Sequence, residues 1–369
     1  MSLAKRDVAE GGLKTFEAQV ESVAYGGAGV ARVDGKVVFI PGTIPGERVL
    51  ARMTRVRPRF SEAQLVSILE PSADRILPRC PWFGACGGCA YQQIPYALQL
   101  EWKTKQVTEL FRRVAGIELP PVEHALASPL EWGYRNRIRV HGRGGRVGFF
   151  RRGAADVVEV DHCAIASECV NRDLASLRAK WRGEGERTIS ERPGVRFFEQ
   201  TNDGAARVLG QVVEGMLPEQ GGEWLVDAYC GAGWFSRLLA PSFQRVIGIE
   251  INESAVQEAR KLAGPRESYW CGGVEICLGE ALSELSVSEK GGGTLLLDPP
   301  EEGLSGRVRD VVLAMGPGRL IYVSCDPATQ ARDVRELTRG GYGLRRVVPV
   351  DMFPQTSDVE VVALLERSV

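Results

Sequence analysis

The stretch Glu223-Trp-Leu-Val-Asp-Ala-Tyr-Cys-Gly-Ala-Gly-Trp-Phe-Ser236 decides the fold. Residues 223–227 read as a short apolar strand, and the chain turns at once into a helical pattern. Gly231 and Gly233 let the backbone bend tightly and approach a ligand, whose polar end meets free amides at the helix start. The next strand, Arg245-Val-Ile-Gly-Ile249, runs into Glu250, about twenty residues on, where a carboxylate takes the two hydroxyls of a ribose. Together these features predict a nucleoside ligand. Ser236 stands where a third glycine would complete a dinucleotide fingerprint, so S-adenosylmethionine is favoured.

From residue 196 onward the same alternation continues, predicting an α/β, doubly wound, largely parallel sheet. Seven strands are expected: 223–227, 245–249, 275–278, 294–297, 320–323, 346–350 and 359–364. Helical faces such as Phe235, Leu238 and Leu239, then Ala255, Ala259 and Leu262, separate the first five. The last two, with no helix between them, predict an antiparallel hairpin closing the sheet. Ligands bind at the carboxyl ends of such strands. There Asp298-Pro-Pro300 ends the fourth strand, a pattern suited to methyl transfer onto nucleobases or amides, although a plain turn would also produce it. Ser324-Cys325-Asp326-Pro327 ends the fifth. Most cysteines are buried hydrophobes, but one at this edge faces the cleft, so Cys325 is the candidate nucleophile. The three histidines, His124, His141 and His162, all lie before this region. A proton acceptor there falls to a carboxylate, and Glu360 is the candidate.

The front of the chain reads differently. Residues 13–71 are expected to be all β, with short apolar runs ending at Pro41-Gly42 and Pro45-Gly46. Arg55, Arg57 and Arg59 share one face of an extended strand and suit either phosphates or plain solvation. Residues 72–92 are rich in Pro, Cys and Gly. Cys80, Cys86 and Cys89 sit within ten residues and are placed to wrap one inorganic centre, with Cys163 or Cys169 as fourth ligand; iron–sulfur and zinc both accept four cysteines. A helix is expected at 95–115, with Leu98, Trp102, Val107, Leu110 and Phe111 on one stripe. In Tyr134-Arg-Asn-Arg-Ile-Arg-Val-His-Gly-Arg143, strict alternation puts Arg135, Arg137, Arg139 and His141 on one face and Asn136, Ile138 and Val140 on the other. A hairpin at Gly144-Gly145 would make this a basic sheet face for RNA.

The bulk numbers fit. At 369 residues two or three domains are expected. The net charge of −1 hides a gradient: residues 1–160 carry 23 Lys and Arg against 16 Asp and Glu, and the remainder 23 against 31. Nine cysteines, an odd number, argue against a disulfide framework. No apolar run is long enough to span a membrane, and the charged first residues do not resemble a secretion signal. A cytoplasmic monomer is expected.

Taken in order, these motifs resemble the RNA 5-methyluridine methyltransferases, and the likeness extends over nearly the whole chain. Residues 13–71 are similar to a TRAM domain, an RNA-binding β-barrel, through Gly27-Ala-Gly-Val-Ala-Arg32 and Phe39-Ile-Pro-Gly-Thr-Ile-Pro-Gly-Glu47. Residues 72–195 resemble the small β-rich iron–sulfur domain of the ribosomal RNA members, and 196–369 the class I methyltransferase domain. The resemblance implies that Cys80, Cys86, Cys89 and Cys163 hold a 4Fe-4S cluster. It implies that S-adenosylmethionine meets Gln200, Tyr229, Glu250 and Asp298, and further Trp234 and Glu280. It also implies Cys325 as nucleophile and Glu360 as base. Three positions depart from the family pattern toward acid: Glu301 for Arg, Asp326 for Asn and Asp358 for His. Ribosomal RNA is the favoured substrate and transfer RNA the alternative; a non-catalytic RNA-binding protein and a methyltransferase for small molecules or proteins are rival readings.

Overall fold

The computed structural model describes residues 14–195, 197, 199–285 and 293–367. Five strands, β1 (Thr15–Val23), β2 (Ala28–Val33), β3 (Lys36–Pro41), β4 (Arg48–Val56) and β5 (Phe60–Glu70), close into a barrel in the order β1-β2-β3-β5-β4. Alternation fills its interior with small and branched residues, among them Val20, Ala31, Ile40 and Val49. Helix α1 (Tyr96–Leu110) follows, widening into a last turn at Phe111–Ala115. Next comes a four-stranded sheet, ordered β8-β7-β6-β9, from β6 (Arg137–Arg143), β7 (Arg146–Phe150), β8 (Val157–Glu159) and β9 (Gly185–Ser190), backed by α2 (Glu168–Lys180).

The remaining elements are α3 (Asp203–Glu214), β10 (Gly222–Ala228), α4 (Trp234–Leu239), β11 (Phe243–Glu250), α5 (Glu253–Leu262), β12 (Glu267–Cys271), α6 (Val274–Ser283), β13 (Gly293–Leu297), α7 (Gly306–Met315), β14 (Arg319–Ser324), α8 (Pro327–Arg339), β15 (Tyr342–Val350) and β16 (Glu360–Arg367). They build a seven-stranded sheet in the order β12-β11-β10-β13-β14-β16-β15, in which β16 alone runs against the others. Strands β10, β13 and β14 are buried along almost their whole length, as expected where helices cover both faces.

Several expectations need correction. Residues 275–278 are not a strand but lie in α6. Val274, Leu278, Ala281 and Leu282 are buried at helical spacing while Ile276 faces solvent. The strand at that place in the sheet is β12, whose mixed composition, Glu-Ser-Tyr-Trp-Cys, hides it. In α5 the inward face is Ala255, Val256 and Ala259, and Leu262 is exposed. In α1 the buried side includes Gln99, Lys103 and Gln106 beside Trp102 and Val107, because it packs against polar loop backbone. Arg135 precedes β6 and leaves the basic face to Arg137, Arg139, His141 and Arg143, while Asn136, Ile138 and Val140 are buried as expected. The Gly144-Gly145 hairpin forms, both residues at positive φ.

Candidate active site

Sheet register assembles the site. Ala228 in β10 pairs with Ile249 in β11 and Leu297 in β13, so Tyr229, Glu250 and Asp298 emerge side by side at the carboxyl edge. Ser324 in β14 pairs with Val361 in the antiparallel β16, so Cys325, the residue after Ser324, and Glu360, the residue before Val361, lie at the same end of that pair, and the charge of Glu360 acts on the Cys325 thiol. The antiparallel hairpin thus brings the start of β16 to the edge where the parallel strands end.

The glycine turn is built for close approach. Tyr229, Gly231 and Gly233 all have positive φ, and Glu250 accepts the Gly231 amide at 3.0 Å and the Asn252 amide at 2.7 Å. The carboxylate is thereby fixed beside the turn with lone pairs to spare for a ribose. A side chain at Gly233 would run into the Tyr269 ring, at 2.6 Å from its hydroxyl. Ser236 has a structural use: its hydroxyl donates to Asp227 at 2.6 Å, inside the core. Burial pushes the Asp227 carboxyl up to about 6. Gln200 is half-buried, with its carbonyl accepting from Asn136 at 3.0 Å. Asn202, two residues on, donates to the Met352 carbonyl, which ties this segment to the loop before β16. Trp234 is exposed and leans on Phe235. Glu280 lies on the exposed side of α6, whereas Glu275, in its first turn, acts electrostatically on Tyr229.

The reacting edge is strongly acidic. Asp298 is half-buried, and its carboxyl is held well above the ordinary range by desolvation and then by Glu360 and Asp227. Burial raises Glu360 to about 7. Burial, followed by the charges of Glu360, Asp298 and Glu301, pushes the Cys325 thiol up to about 12. Asp326 serves as N-cap of α8, accepting from the Ala328 and Thr329 amides at 2.7 and 2.9 Å. Sequence reasoning missed the clamp on the loop leading to Glu360. Lys103 and Asp351 form a fully buried ion pair at 2.6 Å, and Lys103 also donates to the Phe353 carbonyl. The one available signal was a lysine on the apolar stripe of a helix.

Cys80, Cys86, Cys89 and Cys163 line one cavity of about 50 Å³ together with Phe83, Phe149 and Arg135, and Cys169 is not among its lining residues. By volume this is room for a few waters. Among the described residues no group of three or more His, Cys, Asp or Glu is arranged to hold a metal ion, so the expected iron–sulfur centre is not evident in the geometry of this domain.

A sheet of this strand order with one antiparallel member is that of the class I methyltransferases. The comparisons with known proteins agree. The TRAM domain family matches residues 13–66, and the tRNA (Uracil-5-)-methyltransferase family matches residues 280–368. An uncharacterized RNA methyltransferase of Nitratidesulfovibrio vulgaris is 30% identical, the alignment covering 96% of each chain. One of Gloeobacter violaceus is also 30% identical over 96% of this chain and 97% of that one. The crystal structure of the Pyrococcus abyssi tRNA (uracil-54, C5)-methyltransferase has the same fold, with a TM-score of 0.70 at 24% identity over 95% of this chain and all of that one. The chain belongs to the TRAM-domain RNA methyltransferases related to the uracil-C5 enzymes of tRNA and rRNA, and it is an S-adenosylmethionine-dependent enzyme. Among the described residues no helix is long and apolar enough to cross a membrane.

Proposed function

We propose that this chain methylates carbon 5 of a uridine in a structured RNA, with Cys325 as covalent nucleophile and Glu360 as base. The observation that supports the reading is the β14–β16 register, which ends at Ser324 opposite Val361, the neighbours of Cys325 and Glu360, with the charges of Glu360 and Asp298 both acting on the Cys325 thiol. Carbon 5 of uracil is too weak a nucleophile unaided. A Cys325 thiolate adding to carbon 6 breaks the 5,6 double bond and makes an enolate, so carbon 5 gains the electron pair that takes a methyl group. When bound, the sulfonium donor would supply that methyl as an electrophile, its sulfur–methyl bond breaking to leave a neutral thioether as the enolate's negative charge is cancelled. Glu360 then removes the proton from carbon 5, the carbon–sulfur bond breaks, and the double bond returns. The base must leave its stack to expose both faces.

The rRNA target favoured by the motifs has no advantage in the comparisons. The family matching residues 280–368 and the structural relative are both named for tRNA, so tRNA is at least as well supported. For the cysteine cavity, what supports the reading is the donor set and its place: Cys80, Cys86, Cys89 and Cys163 all line one space, together with apolar side chains, Gln92 and Arg135. We propose that Cys80, Cys86, Cys89 and Cys163 hold a 4Fe-4S cluster, which would anchor the segment around residues 80–91 against the central sheet. The enzyme is expected to act as a cytoplasmic monomer.

The test is a trap. Glu360→Gln with methyl donor and in-vitro transcripts of tRNA and 23S rRNA should accumulate a covalent protein–RNA band that survives denaturing electrophoresis and needs the donor. Cys325→Ala, alone or combined with it, should form none. A band persisting without Cys325 would overturn the nucleophile, and normal turnover by Glu360→Gln would overturn the base. Which transcript is trapped assigns the RNA class.

A further inference from the structure

The barrel is not only an appendage for gripping RNA. The turn between β1 and β2 carries Tyr25, whose half-buried ring packs against the apolar cluster of the methyltransferase core, the one containing Phe111, Ala331 and Val361. The turn is locked in place. The Gln106 amide of α1 donates to the Ala24 carbonyl at 3.2 Å and to the Tyr91 hydroxyl at 2.8 Å. Gly27, at φ +84°, lies so close to Ala90, Tyr91 and Ser357 that a side chain there would stand 3.0–3.4 Å from all three. Ser357 lies on the loop that leads into Glu360.

Tyr25 is therefore held at the catalytic edge by a different domain from the one that carries the chemistry. Cys325, Asp326, Asp358 and Glu301 all act electrostatically on its hydroxyl. Burial and those charges push the phenol above its ordinary value, so it remains a neutral O–H. Among the described residues this hydroxyl has no hydrogen-bond partner, although the ring is well packed. The carboxylates that act on this hydroxyl, Asp326, Asp358 and Glu301, repel phosphates. An uncharged aromatic donor is what can meet an extruded base there, since every base offers a π-face and uracil two carbonyl acceptors.

We propose that Tyr25 is a substrate-binding residue of the catalytic cleft, its ring a platform for the nucleotide presented to Cys325 and its hydroxyl a donor to that base. This rests on the uridine reading above, and the experiment separates the two. RNA transcribed with 5-fluorouridine has no proton on carbon 5 to remove, so the intact enzyme with methyl donor should be caught as a covalent adduct on tRNA or 23S rRNA transcripts. Tyr25→Leu keeps apolar packing without an aromatic face; Tyr25→Phe keeps the face without the hydroxyl. Tyr25→Leu should slow adduct formation and raise KM for RNA by between about 5-fold and 150-fold, the range for losing one base–aromatic stack. Its melting temperature and S-adenosylhomocysteine affinity should stay at wild-type values. Tyr25→Phe should recover most of the loss, with a remaining deficit assigned to the hydroxyl. Equal adduct rates for wild type and Tyr25→Leu would overturn the proposal, as would a defect matched by loss of melting temperature. As an arm independent of the nucleophile, 4-thiouridine RNA should photo-crosslink to the peptide containing Tyr25. A crosslink without any fluorouridine adduct would sink Cys325 and leave Tyr25 standing, and absence of the crosslink would sink Tyr25.

Discussion

At the scale of single residues, proton occupancy sets what the site can do. Glu360 must be ionised to accept a proton, and burial places it at about 7. The rate should therefore climb with pH through about 7 and fall below it; a flat single-turnover profile from pH 6 to 8 would exclude Glu360 as the rate-limiting base. The same shift bears on stability. A carboxyl raised on folding contributes fully below its unfolded value of 4.5 and loses that contribution as pH rises through about 7. Glu360→Gln should then gain stability over wild type at pH 8 but not at pH 4, by on the order of 3 kcal/mol in urea unfolding. The acidic departures from the family pattern separate here. Asp326 caps α8, a task Asn performs equally well, so its replacement by Asn should change little. Glu301 instead raises the Cys325 thiol. Glu301→Arg should lower that pKa and speed alkylation of Cys325 by iodoacetamide at pH 8; an unchanged rate would show that Glu301 does not control the thiol.

At the scale of elements, the strands that carry the candidate site were legible and the supports beneath them were not. Apolar β10, β11, β13 and β14 announce themselves because both faces are buried, and their carboxyl ends could be lined up before any coordinates. Strand β12 was hidden because it lies at the sheet edge and tolerates polar residues. Helix α6 was misread because a short apolar run has no decisive period. The polar side of α1 was invisible since its partners lie about 250 positions away, beyond any local pattern. Lys103 shows what that support is worth. Lys103→Met leaves Asp351 buried without its partner and should cost about 3–5 kcal/mol. Adding Asp351→Leu should restore most of it, and additive losses in denaturant unfolding would count against a coupled pair. On the four-stranded sheet, exposed Arg139, Arg143 and Arg146 share one face with His141, whose ring stacks on Phe150 at 3.8 Å. Replacing those three arginines by Ala should lower the salt slope of RNA binding by about 2–3. Arg135→Ala should leave the slope unchanged, because Arg135 lines the cysteine cavity and its guanidinium lies over the Phe353 ring.

At the scale of the molecule, barrel, cysteine domain and methyltransferase core converge on residues 351–359, the loop that delivers Glu360. Immediately after Cys89, the amides of Ala90 and Tyr91 both donate to the Gln355 carbonyl at 3.0 Å, and Gln355 itself has positive φ. The Tyr134 hydroxyl donates to the Pro354 carbonyl at 2.9 Å. Arg135, which lines the cysteine cavity, also sits 5.9 Å over the Phe353 ring. The cysteine cavity is thus joined through Arg135 to the loop that leads to Glu360, although its cysteines lie more than 190 positions before Glu360 in sequence. If a cluster is held by Cys80, Cys86, Cys89 and Cys163, anaerobically purified protein should be brown, and Cys163→Ser should lose the colour and the iron. Hydrogen exchange should then accelerate at the Ala90 and Tyr91 amides and in residues 352–356. Single-turnover methylation should slow without a matching loss of S-adenosylhomocysteine affinity, since the Glu250 carboxylate is held by the Gly231 and Asn252 amides. Cys169→Ser, on α2 and outside the cavity, should leave colour, exchange and rate at wild-type values. Colour lost with Cys169 instead of Cys163 would overturn the ligand set. Colour lost with Cys163 but unchanged exchange at 352–356 would show that the cavity and the loop are mechanically separate.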